Sequence, residues 1–249
     1  MNMAIDEAVL TARIAGIVPN TLRFYRWKPS AVSVGRFQRV SEEVHVENCR
    51  GHGVDIVRRI TGGGAVYHDY EGEITYSVVV HEQDLGWKDV VSTYNRVCRG
   101  LVEAARILGV DADFNRGNPR HCPNIMISGR KFSGSAQARK KEVLLQHGTF
   151  LMQTDLEEMF TFLKVPWAKS LDDVLRVAGE RLTSMEQELR SSISNEQAYE
   201  ALVEGFQKVL KTKLVEKDLT DDEMNLANEL CSDKYATDDW NFKENNFKR

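Results

Sequence analysis

Three short stretches concentrate the residue types that can do chemistry. RRITGGGAVYHD, residues 58–69, leads two cations into three consecutive glycines and then into a strand-like run carrying a histidine and an aspartate. Without β-carbons, Gly62, Gly63 and Gly64 let backbone approach a ligand closely and expose several N–H groups in one concavity, which attracts anions. Arg58 and Arg59 alternate sides if their segment is a strand, so one aims into the same pocket and the other braces the loop. The pattern is neither GxxxxGK[ST] nor a GxGxxG opening a helix, and a plain mobile hairpin loop is the competing reading. SGRKFSGSAQ, residues 128–137, places Lys131 between a tight turn and the small residues Ser133, Gly134, Ser135 and Ala136. A lysine there can stabilise a carboxylate or phosphate oxygen as its charge builds, and small neighbours leave room for a flat or long ligand. On a strand, a lone lysine is otherwise a solvated charge. LQHGTFLM, residues 145–152, sets His147 and Gly148 in an apolar strand, either on a pocket floor or as a satisfied core histidine. A fourth candidate is Cys122, a thiol in the turn-rich NRGNPRHCPN (115–124), where it could be a nucleophile. His121 is a poor base for it, because sequence neighbours rarely face each other.

The elements that must position these groups are readable from periodicity. Ile5, Ala8, Val9 and Ala12 mark a helix over residues 2–14. TLRFYRW (21–27) and AVSVGRF (31–37) read as strands joined at Lys28-Pro29-Ser30, VDIVRRIT (54–61) as a strand entering the glycines, and EITYSVVV (73–80) as a buried strand. Val90, Tyr94, Val97, Leu101 and Leu108 define a helix over 89–108 stopped by Gly109. Residues 124–152 read as three strands with turns at Ser128-Gly129 and Arg139-Lys140-Lys141. A helix over 155–164, a helix capped by Ser194 and a helix opened by a Thr220/Glu223 capping box follow. Strands dominate the first 150 residues and helices the remainder, so the expected fold class is α+β with a mixed or antiparallel sheet. The whole chain, 1–249, reads as one catalytic domain with a helix-rich part from about 155 to 249.

Composition narrows the function class. The 249 residues are 42% hydrophobic and 28% charged with a net charge of −4, which argues against nucleic acid as a partner. No apolar run is long enough for a membrane span, and MNMAIDEAVLTAR lacks a signal-peptide layout, so a cytoplasmic protein is expected. Cys49, Cys98, Cys122 and Cys231 are too scattered for a zinc site and read as reduced thiols, at least three of them small buried apolar residues.

Taken together, RRITGGGAVYHDYEGEITYS and GRKFSGSAQARKKEVLLQHGTFL resemble the two signatures of the lipoate–protein ligase A catalytic domain, within the biotin/lipoate ligase superfamily. MNMAIDEAVL resembles the family's first helix, RVAGERLTSM (176–185) its arginine-rich turn and KYATDDWNF (234–242) its ending. The resemblance implies a mixed sheet flanked by helices, like the core of biotin ligases and class II synthetases. It implies an ATP- and Mg2+-dependent ligase that converts lipoate, or octanoate, to an acyl-adenylate and passes the acyl group to a lysine of lipoyl-domain proteins. The glycine cleavage H protein and the E2 subunits of 2-oxoacid dehydrogenases are the implied acceptors. On that reading Arg58, Arg59, Gly62, Gly63, Gly64, Ala65, Val66, Tyr67, Ser135 and Ala136 hold the nucleotide or adenylate. Catalytic Lys131 offsets charge in both transition states, a contribution of about 3 kcal/mol. His68, Asp69, Asn124, His147 and Gly148 support them from behind, and Val32, Val34, Val78 and Phe150 line an acyl slot.

Two departures bear on the reaction. The family's Asn-Asp-Ile ahead of the lysine is Pro123-Asn124-Ile125 here, so a metal-binding carboxylate is replaced by an amide. The family's small C-terminal domain has no counterpart after the WNF ending, which implies a separate accessory subunit. Both departures also fit a sister family, octanoyltransferases that use no ATP and carry a nucleophilic cysteine ahead of the lysine strand, where Cys122-Pro123 lies. The three full glycines followed by AVYHD favour the ATP-using branch, and the cysteine-dependent transfer of octanoyl from acyl carrier protein is the alternative.

Overall fold

The computed structural model describes residues 1–86, 89–114, 124–168 and 170–243. Helix α1 (Asn2–Ile14) is followed by strands β1 (Thr21–Tyr25) and β2 (Ala31–Val34). Short helices α2 (Val40–Glu43) and α3 (Val46–His52) lead to β3 (Asp55–Arg58), β4 (Val66–His68) and β5 (Glu73–His81). Helices α4 (Glu82–Leu85) and α5 (Val90–Ile107) precede β6 (Ala112–Phe114), β7 (Ile125–Ile127), β8 (Arg130–Ser133), β9 (Ser135–Lys140) and β10 (Val143–Leu151). The remainder is helical: α6 (Leu156–Phe162), α7 (Leu171–Arg181), α8 (Met185–Leu189), α9 (Asn195–Leu210) and α10 (Asp221–Leu230). The last of these runs into a π-helical turn (Cys231–Tyr235) and α11 (Asp238–Asn241).

Among the described residues the strands form an antiparallel sheet in the order β1-β5-β10-β9 and a mixed sheet β3-β2-β4, with β2 parallel to β3. A small antiparallel sheet β6-β7-β8 completes them. This is the α+β architecture the sequence pattern indicates. Two details differ from the expected strands. β1 and β2 join different sheets rather than pairing, and the segment 124–152 holds four strands, because Gly134 interrupts the middle one.

The period of two along β5 builds two cores. Ile74, Tyr76, Val78 and Val80 face one way, packing with Tyr94, Val97 and Leu101 of α5 and Leu202 and Phe206 of α9. Val79 faces the other way, with Val9 and Leu10 of α1 and Val143 and Leu145 of β10. α5 starts where the Asp89 carboxylate accepts from the Ser92 N–H at 2.8 Å and stops at Gly109, whose φ of +93° suits a residue without a β-carbon. α5 and α9 cross where two glycines meet. A β-carbon on Gly205 would stand 2.5 Å from the Gly100 carbonyl oxygen and 2.7 Å from the Ala104 nitrogen.

α1 is fastened to the sheet by one buried carboxylate. Asp6, 1% exposed, accepts from Arg23 Nη1 of β1 at 2.5 Å, from the Tyr25 hydroxyl at 3.1 Å and from His147 Nδ1 of β10 at 2.8 Å. A carboxylate only accepts, so His147 Nδ1 carries a proton, and its Nε2 is hydrogen-bonded to the Thr61 hydroxyl at 2.8 Å. Burial alone would raise the Asp6 carboxyl, but the His147 hydrogen bond and the Arg23 charge outweigh it and hold it below its ordinary value. The relay thus runs from α1 through β10 to the residue preceding the glycine loop.

Two stability outcomes follow. Gly205→Ala forces α5 and α9 apart and lowers stability by about 1–3 kcal/mol, read as a fall in Tm of several degrees. Asp6→Ala strands the Arg23 charge and costs about 3–5 kcal/mol at pH 7. A depressed carboxylate contributes stability above its unfolded pKa, so in the parent protein this contribution is present at neutral pH and disappears as pH falls below 3.8. Denaturant titrations of parent and variant that stay separated by the same amount down to the acid limit would contradict that linkage.

Candidate functional site

The glycine loop is held from behind by a buried cation. Arg59, 5% exposed, donates from Nη1 to the Ser33 carbonyl at 3.0 Å and the Ser33 hydroxyl at 3.1 Å. From Nη2 it donates to the carbonyls of Gly62 at 2.8 Å and Gly64 at 2.7 Å. Burial lowers its pKa to about 10, far enough above neutrality that the guanidinium keeps its charge. Gly35, at the end of β2, must be glycine because a β-carbon there would collide with the Gly63 carbonyl. Gly63 adopts φ +95° and brings the loop against Ala136 of β9. Arg58, 3% exposed, points to the opposite face and donates to the carbonyls of Gly35, Gln38, Trp240 and Asn241. Both arginines therefore brace backbone, and Arg59 also forms cavity wall.

Between the loop and the β1-β5-β10-β9 sheet lies a cavity of about 280 Å3. Its inner end is closed by Met3, Trp27, Ser33, His68, Thr75 and His147, each less than 8% exposed. The polar groups of that end are turned on one another. Glu73 receives His68 Nδ1 at 2.8 Å and the Thr75 hydroxyl at 2.5 Å, His68 Nε2 meets the Ser33 hydroxyl at 2.8 Å, and Trp27 Nε1 donates to Thr75 at 2.8 Å. Trp27 stacks on the His68 ring at 4.3 Å. With its hydrogen bonds spent internally, this end presents ring faces and methyl edges and suits an aliphatic ligand.

Lys131 is the exception. A bridge to Leu182 and a hydrogen bond from the Thr183 N–H to the Lys131 carbonyl at 3.0 Å fix its backbone, so the 176–185 segment acts as its support. Its amine lies against Gly134, where a β-carbon would be 3.0 Å from Nζ. Among the described residues that amine has neither a carboxylate nor a hydrogen-bond acceptor. Burial lowers its pKa below the ordinary lysine value of 10.5. An under-solvated amine without a protein partner, on a wall that otherwise satisfies itself, is the reactive feature of the cavity.

The structure brings Arg59, Gly63, Gly64, Ala65, Val66, His68, Asn124, Lys131, Ser135, Ala136, His147 and Gly148 to this one cavity. Arg58, Gly62 and Tyr67 are not on its wall. Tyr67 packs on Phe162 at 5.1 Å, and Asp69 accepts from the Glu71 N–H in a turn. Cys122 lies outside the described residues. The expected acyl slot is corrected. Val32 and Val34 belong to the core under the β3-β2-β4 sheet, and Val78 and Phe150 to the core facing α5. Met3, Tyr25, Trp27, Thr75 and Thr149 line the cavity instead. Of these only Thr75 and Thr149 had a signal in the sequence, a polar residue at alternate positions of two otherwise apolar strands; they pair directly, as do Ser77 and His147. Among the described residues no Asp or Glu lines the cavity.

Comparison with known proteins fits these observations. Octanoyltransferase LipM of Kyrpidia tusciae is 39% identical, over 98% of this chain and 94% of its own. Octanoyltransferase LipM of Anoxybacillus flavithermus is 36% identical, over 97% of this chain and 93% of its own. A bipartite lipoate protein ligase from Thermoplasma acidophilum superposes with a TM-score of 0.84 at 31% identity, covering 99% of this chain and 92% of that one. The expectation of an ATP-dependent, lipoyl-AMP-forming ligase is overturned by the near full-length match to octanoyltransferases, while a lipoate-protein ligase A bound with ATP superposes with a TM-score of 0.83 at 32% identity, covering 98% of this chain and 93% of that one. A family model, the lipoyl protein ligase A/B catalytic domain, matches residues 1–207, and the chain belongs to that family within the biotin/lipoate ligase superfamily.

Proposed function

We propose that this protein is an octanoyltransferase that moves an octanoyl group from an acyl carrier protein to the target lysine of lipoyl domains through a thioester on Cys122. The observation that carries the reading is the buried Lys131 amine, without a carboxylate or acceptor among the described residues, on the wall of a cavity whose inner end suits an aliphatic chain. An acyl thioester is already activated, so transfer needs a nucleophile and a proton carrier rather than a nucleotide.

In the first step the neutral Lys131 amine takes the proton of the Cys122 thiol, and the thiolate attacks the octanoyl carbonyl. The carrier thiol leaves, recovering the proton from the Lys131 ammonium. In the second step the neutral amine of the acceptor lysine attacks the acyl-cysteine, an amide forms, and Cys122 returns as a thiol. Burial lowers the Lys131 pKa, which eases the exchange between the base and acid forms that the two roles require. The acyl chain lies toward Met3, Trp27 and the stacked His68 ring. The N–H groups of the glycine loop receive the carbonyl oxygen as it becomes an oxyanion. Acceptors are lipoyl domains of the kind carried by H protein and the E2 subunits. A nucleophilic thiol suits the reducing cytoplasm. Adenylation, the step for which the accessory subunit was expected, is absent from this reaction.

Incubation with octanoyl-loaded carrier protein should give an intact-mass increase of one octanoyl group, mapped by peptide fragmentation to Cys122. Cys122→Ala should lose transfer by about 10³-fold or more. Lipoylation from lipoate plus ATP, unaffected by Cys122→Ala, would sink the reading.

Lys131→Ala should lower kcat/KM by about 10²–10⁴-fold. The parent's rate should rise with pH along a limb that levels off below the ordinary 10.5 of lysine, because the amine must be neutral to accept the thiol proton. Lys131→Arg keeps the charge and removes the base, so it should resemble the alanine variant. Full activity in the arginine variant would reassign Lys131 to charge stabilisation alone.

A further inference from the structure

A second cavity, of about 260 Å3, lies on the other face of the β3 terminus, since Arg59 lines the first cavity and its neighbour Arg58 lines this one. Its centre is Trp240. The Arg36 guanidinium sits 4.3 Å above the centroid of that indole, and Lys234 Nζ lies 4.0 Å from the same centroid, so the two charges are within about 8 Å of each other. Lys243 also lines the cavity.

The counter-charges do not cover this group evenly. Lys234 is paired with Glu7 at 2.6 Å and Lys243 with Asp239 at 3.2 Å, and Asp233 is a further carboxylate on the wall. Arg58 spends its donors on carbonyls. Arg36 is different: its backbone N–H donates to the Thr61 carbonyl at 2.8 Å, but its guanidinium has only the indole face. Among the described residues it has no carboxylate and no hydrogen-bond acceptor. A planar fork of donors held on an aromatic face, in a concavity with three further cations, is the arrangement that takes a tetrahedral oxyanion bidentately. The two aspartates disfavour a larger polyanion.

We infer that this Arg36–Trp240 cavity is a binding site for a phosphate-type oxyanion. The chemistry has two sources, free phosphate or the phosphodiester that links an acyl carrier's prosthetic arm to its protein. The second source rests on the octanoyl-transfer reading, and the first does not.

The test is calorimetric titration of the full chain with inorganic phosphate at fixed ionic strength, with chloride replacing phosphate as the control. Saturable binding is expected for phosphate and not for chloride, weakened at least about tenfold in Arg36→Gln and less in Lys243→Gln, with circular dichroism confirming that both fold. An absence of saturable binding, or equal affinity in parent and Arg36→Gln, overturns the site. Octanoyl transfer from carrier protein and from octanoyl-N-acetylcysteamine, which lacks phosphate, separates the sources. A KM rise in Arg36→Gln confined to the carrier names the phosphodiester, whereas unchanged KM values with phosphate binding lost in the variant name free phosphate. Failure of the parent to use either donor counts against octanoyl transfer, and the titration still decides the site.

Discussion

The organising constraint is a row of glycine-loop carbonyls that must be satisfied away from water. A glycine run offers close backbone approach only if something other than side-chain packing fixes its path. Here the Arg59 guanidinium does so, reaching the carbonyls of Gly62 and Gly64 with one nitrogen and Ser33 with another. Hydrogen bonds to a charged donor contribute about 1.5–3 kcal/mol each. Arg59 is itself held in place by β2, and β2 by the contact of Gly35 with Gly63. The loop, the strand end and the cation form one unit that is ordered only when all three are present.

Two carboxylate–histidine–hydroxyl chains anchor that unit from opposite sides. Asp6 fixes His147, which fixes Thr61 at the start of the loop; Glu73 fixes His68, which fixes Ser33 beside Arg59. Each chain brings a buried charge into the fold, and each repeats the same solution, a carboxylate that sets the histidine tautomer so that the far nitrogen meets a hydroxyl. The consequence for the cavity is electrostatic. Among the described residues no acceptor on that wall is left for the Lys131 amine, so its burial is uncompensated and its pKa is lowered.

The chemistry-bearing residues were legible because their types are costly without a purpose: three glycines in a row, a lysine among small residues and a histidine in an apolar strand. Their mutual placement was legible through the resemblance. The cavity lining was not, because Met3, Tyr25 and Trp27 have the signature of any core residue, and four valine and phenylalanine positions with that signature proved to be core. Nor could the sequence show that both Arg58 and Arg59 are consumed by carbonyls, since alternation along a strand assigns a side and not a partner. The split of β1 and β2 into separate sheets escaped the same way: a proline turn joining two strand-like runs does not say which sheet each enters.

The reaction was misread for a different reason, and it shows what separates the two chemistries on one scaffold. Making an acyl-adenylate requires a triphosphate to be held and its charge neutralised by a metal, so a carboxylate near the lysine is indispensable there. Drawing the acyl group from a thioester removes that demand, and an amide such as Asn124 then serves as well as an aspartate. The cavity, the loop amides and the lysine are needed in both cases, because both reactions pass through an attack on the same acyl carbonyl. The motifs that define the family therefore carry little information about the activating group. On the octanoyl-transfer reading that information sits at the position of the family's metal-binding carboxylate and at the nucleophile ahead of the lysine, which in this chain are Asn124 and Cys122.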